Sequence, residues 1–124
     1  MVRKSIANIL LLIAVAAAAH AADIDITAFG AMGDGKTLNT ISIQKAIDEC
    51  NKLGGGRVIF PAGKYLSGTI VIKNNVTLQL NKDALLLGSI NIEDYRNLDP
   101  FTDGLGIGVG WALVVAVDVK DIGI

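Results

Sequence analysis

Residues 30–37 read GAMGDGKT and satisfy the phosphate-loop pattern G-x-x-x-x-G-K-[ST] at every specified position. In such a loop backbone amides cradle phosphates, the lysine meets their charge and the Ser/Thr hydroxyl holds magnesium. Lys36 and Thr37 would take those parts here. LVVAVD, Leu113 to Asp118, resembles the apolar strand whose aspartate helps to hold the metal. Asp94, Tyr95, Asp99 and Asp103 lie in a polar stretch and suit sugar contacts, while Trp111 suits stacking on a sugar ring. Asn75-Val76-Thr77 is an N-glycosylation triplet by pattern.

Each of these residues has a plainer role available. Three glycines and Asp34 also build a tight turn. The aspartates and Tyr95 also suit a solvated loop, and Trp111 adjoins an apolar run and is expected in the core. Asn74, Asn75 and Asn81 suit turns. Cys50 is the only cysteine, so no disulfide forms within the chain. It lies on the apolar face of an expected helix, where it packs as a small hydrophobe.

The elements around these residues decide between the roles. Arg3 and Lys4 precede an apolar run from Ile6 to Ala19, broken only by Asn8, and Ala19-His20-Ala21 supplies small residues where a signal peptidase reads. Residues 1–21 are therefore expected to be a secretory signal, removed to leave a chain that is extracellular or periplasmic and not inserted in a membrane. The run is shorter than the ~20 residues of a spanning helix, against the alternative of an N-terminal anchor. Removal takes Arg3, Lys4 and the only histidine, His20, and leaves nine basic against twelve acidic residues. A mildly acidic chain without a basic patch is expected to bind no nucleic acid. The remainder is enough for one domain.

Ile24 to Thr27 alternates apolar and polar residues, as a short strand does. Ile43, Ala46, Ile47, Cys50 and Leu53 then fall on one helical stripe, with Gln44, Lys45, Asp48, Glu49 and Lys52 opposite. The spacing predicts a helix over 40–53, capped by Asn39 or Thr40 and stopped by Gly54-Gly55-Gly56. Beyond it RVIF (57–60), TIVI (69–72), VTLQL (76–80) and ALLLG (84–88) read as strands parted by turns, with no room for helices. A polar loop is expected over Ser89–Asp103, a glycine-rich stretch over Gly104–Gly110, and renewed strand over Ala112–Val117 and Ile122–Ile124. A phosphate-loop domain alternates strands and helices, so this order argues against nucleotide binding. Hairpin signals are missing between the strands, and several strands are nearly continuous apolar runs, which favours stacked parallel coils. Little more than one coil is expected, with an apolar end at Ile122–Ile124.

Taken together, FGAMGDGKTLNT (29–40), IQKAIDEC (43–50), GGGRVIFPAGKYLSGTI (54–70), NVTLQL (75–80) and ALLLGS (84–89) resemble the start of polygalacturonase-like glycoside hydrolases of the family 28 type. ALVVAVDVKDIGI (112–124) is similar to the strand pair preceding that family's first catalytic segments. The likeness is weakest over Asn91–Trp111. Lyases, epimerases and phage tailspikes of the wider pectin-lyase-like superfamily share the opening, and Leu85 to Tyr95 tips the resemblance towards the hydrolases.

The resemblance implies a β fold, a right-handed parallel β-helix of which residues 22–124 form the N-terminal part, truncated at the C-terminus, with the helix as cap. It implies inverting hydrolysis of α-galacturonosidic bonds in pectin, carried by three aspartates, and a monomer when complete. The family's catalytic motifs are Asn-Thr-Asp, Asp-Asp, Gly-His-Gly and Arg-Ile-Lys. Here Asn39-Thr40 runs into Ile41, no two aspartates adjoin, and Val71-Ile72-Lys73 only superficially resembles the last motif. No catalytic, cofactor-binding or metal-ligating residue is therefore assigned, no cofactor is expected, and the 124-residue chain itself is expected to be inactive. The alternatives are a non-catalytic, polysaccharide-binding or tailspike-like module and a pectate-lyase-like enzyme.

Overall fold

The computed structural model describes residues 21–124; nearly all of the expected signal (1–21) lies outside the described residues, as do the side chains of Asp99 and Phe101. The chain winds as a three-sided prism. One side is a parallel sheet of β1 (Ala22–Asp25), β3 (Gly56–Phe60) and β6 (Val76–Leu80). The second is β2 (Asp34–Leu38), β4 (Gly63–Ser67) and β7 (Ala84–Gly88), also parallel. The third pairs β5 (Ile70–Val71) with β10 (Val114–Val115), again parallel. Each turn visits the sides in the same order, so on each side a strand pairs with the strand one turn later. Gly56 pairs with Val76 and Gly63 with Ala84, a repeat of 20 or 21 residues. Ile70 reaches Val114 only after a longer path, because the last turn carries an insertion. This is a parallel β-helix, as the sequence predicts.

The register stacks like on like in the interior. Ile24 pairs with Val58 and Val58 with Leu78, Tyr65 with Leu86, and Ile70 with Val114. Val58, Phe60, Tyr65, Ile70, Ile72, Val76 and Leu78 are buried. The Phe60 and Tyr65 rings meet edge to face at 5.9 Å across one corner, the arrangement their quadrupoles favour. One coil thus forms the floor of the next, and no coil can bury its apolar face alone.

Helix α1 (Thr40–Lys52) takes the place of a third strand in the first turn. It closes the stack by burying Ile43, Ala46, Ile47 and Cys50 completely, the face the periodicity predicts. Burial, and then the charge of Asp23, push the Cys50 thiol up, so it is no thiolate nucleophile. The Gln44 amide behaves as a piece of strand: Val71 N donates to Oε1 at 2.8 Å, and Nε2 donates to Val71 O at 3.0 Å. That covers the β5 edge. Lys73 and Asp48 add an ion pair at 2.8 Å. Burial raises the Asp48 pKa, but hydrogen bonds from Lys73 and Gln44 outweigh it and the net direction is down.

Asn39 stands at the helix N-cap position without capping it. Its side chain turns back and is consumed by the preceding loop. Oδ1 accepts from Met32 N, and Nδ2 donates to Met32 O and Thr37 O, all at 2.8 to 3.0 Å. After the helix, Gly54, Gly55 and Gly56 all have positive φ. At Gly56 a side chain would also collide with the Ala22 backbone, so only glycine lets β3 lie against β1 there.

Three expectations need correction. The described residues form well over one coil, because β2 and β4 are strands within segments that read as turns; β1, expected over Ile24–Thr27, runs from Ala22 to Asp25 and gives way to a 3-10 turn at Ile26. The stretch from Ser89 to Gly110 is also not mere loop. It contains a short 3-10 turn (Ile92–Asp94) and an antiparallel hairpin, β8 (Asn97–Thr102) with β9 (Gly108–Trp111). The expected strand over 112–117 shrinks to Val114–Val115.

Candidate functional site

The phosphate-loop pattern is dismantled by its own geometry. Lys36 and Thr37 lie in β2, not in the first turn of a helix. The Asp34 carboxylate takes the amides that would face a phosphate: Lys36 N and Thr37 N donate to Oδ1, and Thr37 Oγ1 donates to Oδ2. These bonds, led by the Thr37 hydroxyl, hold the Asp34 pKa down at about 2. Asp118 ends no metal-holding strand either; it turns the chain with φ +50 after β10. Among the described residues no three His, Cys, Asp or Glu side chains gather to hold a metal.

The loop residues divide. The Ser89 hydroxyl donates to Asp94, and the Tyr95 hydroxyl donates to Ser89 O at 2.8 Å, so both fix the entry to the insertion. Asp103 Oδ1 accepts from Leu105 N and Ile107 N and shapes the hairpin turn. Asn75 adopts a left-handed turn with φ +63, as turn asparagines do, and its side chain is exposed. Trp111 is not in the core. It lies at the end of β9, 46% exposed, because the apolar run it adjoins is strand only from Val114 onward.

Trp111 instead borders a concavity of the described chain. Two adjoining depressions, of about 520 and 460 Å³, run along the third side of the prism beneath the hairpin. They share Leu98, Val115 and Val117. Trp111 and Val109 line one; Arg96, Lys73, Asp48 and Gln44 line the other. The floor is apolar and one end is charged.

The hairpin over this groove is held at its base. Thr69, 2% exposed, donates through Oγ1 to Ala112 O at 2.8 Å and accepts from Arg96 N at 2.9 Å. One hydroxyl therefore ties together the residues that enter and leave the hairpin. Gly68 beside it lies against the Asp94 carbonyl, with no room for a Cβ. Asn97 pairs across the hairpin with Trp111, which places Arg96 and Trp111 at the same end. Lys73 is engaged by Asp48, whereas Arg96 is exposed and has no ion pair among the described residues. The sequence reasoning passed over both Arg96 and Thr69. Neither belongs to a motif, and only the fold brings them to Trp111.

The third side of the prism, with its groove, is set in a fold that recurs among known proteins. The family described as Rhamnogalacturonase A/epimerase, pectate lyase-like matches residues 24–83. The exo-poly-alpha-D-galacturonosidase of Dickeya chrysanthemi is 51% identical over 72 residues, 58% of this chain and 12% of that protein. The structure of the Yersinia enterocolitica family 28 exopolygalacturonase superposes with a TM-score of 0.70 at 41% identity, covering 83% of this chain and 18% of that one. The plasmin and fibronectin-binding protein A of Streptococcus pneumoniae is 42% identical over 89 residues, 67% of this chain and 12% of that protein. The chain therefore spans less than a fifth of the length of each of these three relatives. Fold and matches define a pectin-lyase-like parallel β-helix protein. Over the part it spans, the chain is similar to polygalacturonases of the family 28 type.

Proposed function

We propose that the chain forms the N-terminal coils of a secreted polygalacturonase-type hydrolase, which as a whole protein cleaves α-galacturonosidic bonds of pectin with inversion. The observation that carries this reading is the 51% identity to an exo-poly-alpha-D-galacturonosidase within a shared β-helical fold. In this role the described residues supply the cap, the first coils and the hairpin. The acid and base lie in further coils, with the ~6.5–9.5 Å gap that admits an attacking water. Purified alone, the chain releases no reducing sugar from polygalacturonate; release would overturn that assignment. Export is read from the N-terminus of the secreted product, expected at Ala22 or Asp23.

A second reading rests on the Streptococcus relative, whose name describes binding and no catalysis. In that case the coils form a secreted binding module. Coding sequence continuing with Asp-Asp and Gly-His-Gly motifs favours the enzyme; further coils without them favour the module.

A further inference from the structure

We infer that β1 gates the removal of the expected signal: the Ala21–Ala22 bond is open to a peptidase only while β1 is undocked, and the amino group freed at Ala22 then becomes part of the cap. The choice of bond rests on the export reading above; the docking of β1 rests on geometry. Ala21 is exposed, and β1 begins at Ala22, directly after the bond. Both residues that follow the bond are held. Ala22 pairs with Gly56 and donates its N–H to Gly55 O at 3.2 Å. Asp23 takes the Arg57 guanidinium in two-point contact, Oδ1 accepting from Nε at 2.9 Å and Oδ2 from Nη2 at 2.7 Å. Ile24 pairs with Val58 and packs on the core, and α1 packs against β1. At Gly56 a Cβ would strike the Ala22 backbone, so the two strands lie together without slack. A peptidase that reads small residues before the bond grips the chain around it in extended form, through backbone hydrogen bonds. The Ala22 amide cannot serve both Gly55 and the enzyme, so residues 22 and 23 must leave β3 before the bond is cut. Hydrolysis breaks the C–N bond and consumes one water. Its oxygen stays on Ala21 as part of a carboxylate, and its two protons go to the Ala22 nitrogen, which becomes an ammonium. Once docked, that ammonium donates to Gly55 O as a charge-assisted bond. Gly55 closes the C-terminal turn of α1, its N–H donating to Cys50 O at 2.9 Å, so the new charge stands at the negative end of the helix dipole. Cutting favours docking and docking forbids cutting, which makes the order one-way.

The 124-residue chain is diluted from urea into mild detergent, a signal peptidase is added immediately or after a delay that lets the chain fold, and mass spectrometry reads the product. Immediate addition is expected to cut after Ala21, and the delay to slow that cut about tenfold or more, as a docked strand requires. Gly56→Val, which keeps β1 off β3, is expected to be cut equally fast at both times. Arg57→Gln removes only the exposed bonds to Asp23 and Gln79, and circular dichroism checks that it folds. After the delay it is expected to be cut about two- to threefold faster than the parent. A rate that is the same at every delay would leave the export reading standing and overturn the gate. No cut after Ala21 even on immediate addition would overturn both. The product that starts at Ala22 is then compared by urea unfolding with the same product N-acetylated, which keeps the N–H and loses the charge. The free amine is expected to raise the folding equilibrium constant about two- to fivefold. Equal stability of the two would overturn the part given to the amino group.

Discussion

The two ends of the stack use the same side chains and treat them oppositely. At the α1 end, Ile43 and Ile47 are fully buried between the helix and the first coils. At the other end Leu80, Ile122 and Ile124 are 37% to 80% exposed. Another layer has only begun there, through the bridge of Gly123 to Thr77 and the bonds from Asn75 N to Lys120 O and from Leu78 N to Gly123 O. In a β-helix an apolar residue is core only when a layer stands on both sides of it. The cap is a layer made from a helix, and its Gln44 amide answers the strand edge that a helix backbone cannot.

That contrast is broken most directly by paired truncations. Ile47→Ala is expected to cost about 2–5 kcal/mol, because the packed cap cannot collapse into the hole. Ile124→Ala at the open end is expected to fall within about 0.5 kcal/mol of the parent. Urea denaturation of both variants measures the difference; equal losses would mean that the cap is no more a core than the open end. The hairpin base comes next. Thr69→Val strips one buried carbonyl and one amide of their partner and is expected to cost about 1–3 kcal/mol. Trp111 becomes more accessible to a soluble quencher in that variant. Gln44→Ala is expected to cost about 1–2 kcal/mol and to leave the β5 edge open to association, read by light scattering.

The smallest effect is that of acid on the Asp34 loop. Its pKa in the folded chain lies below the ordinary aspartate value, so its contribution is present above that value. The contribution fades as pH falls through the aspartate range towards about 2. Amide exchange at Thr37 should therefore speed up over that window, corrected for intrinsic rates, and Asp34→Asn should show no such window.

The helix was legible because its stripe is local, and its ends fall within a residue of the expected 40–53. The parallel stack was legible in the helix-free run of strands. The number of coils was not. Asp34–Leu38 hid inside a motif known for another purpose, and Gly63–Ser67 hid behind the Pro61 corner. The spacing between paired strands varies with each insertion, so no fixed period appears. The hairpin was obscured by Pro100 within β8 and by the glycines of β9, residues that ordinarily mark loops. Trp111 was misplaced for a related reason: its apolar neighbours suggested burial, but it ends the β9 strand of the hairpin, outside the stacked coils, and stays half exposed. The site at the hairpin base depends on Thr69, Arg96 and Trp111, 42 positions apart from first to last, and no local pattern records that meeting.

The central claim is that these coils begin a pectin-cleaving hydrolase. Its direct measurement is the time course of anomeric proton signals when the whole protein that carries them acts on polygalacturonate. Inversion predicts that the newly released reducing end appears first in the β configuration and then mutarotates. No release, an α-configured first product, or an unsaturated product of the kind a lyase leaves would contradict the account.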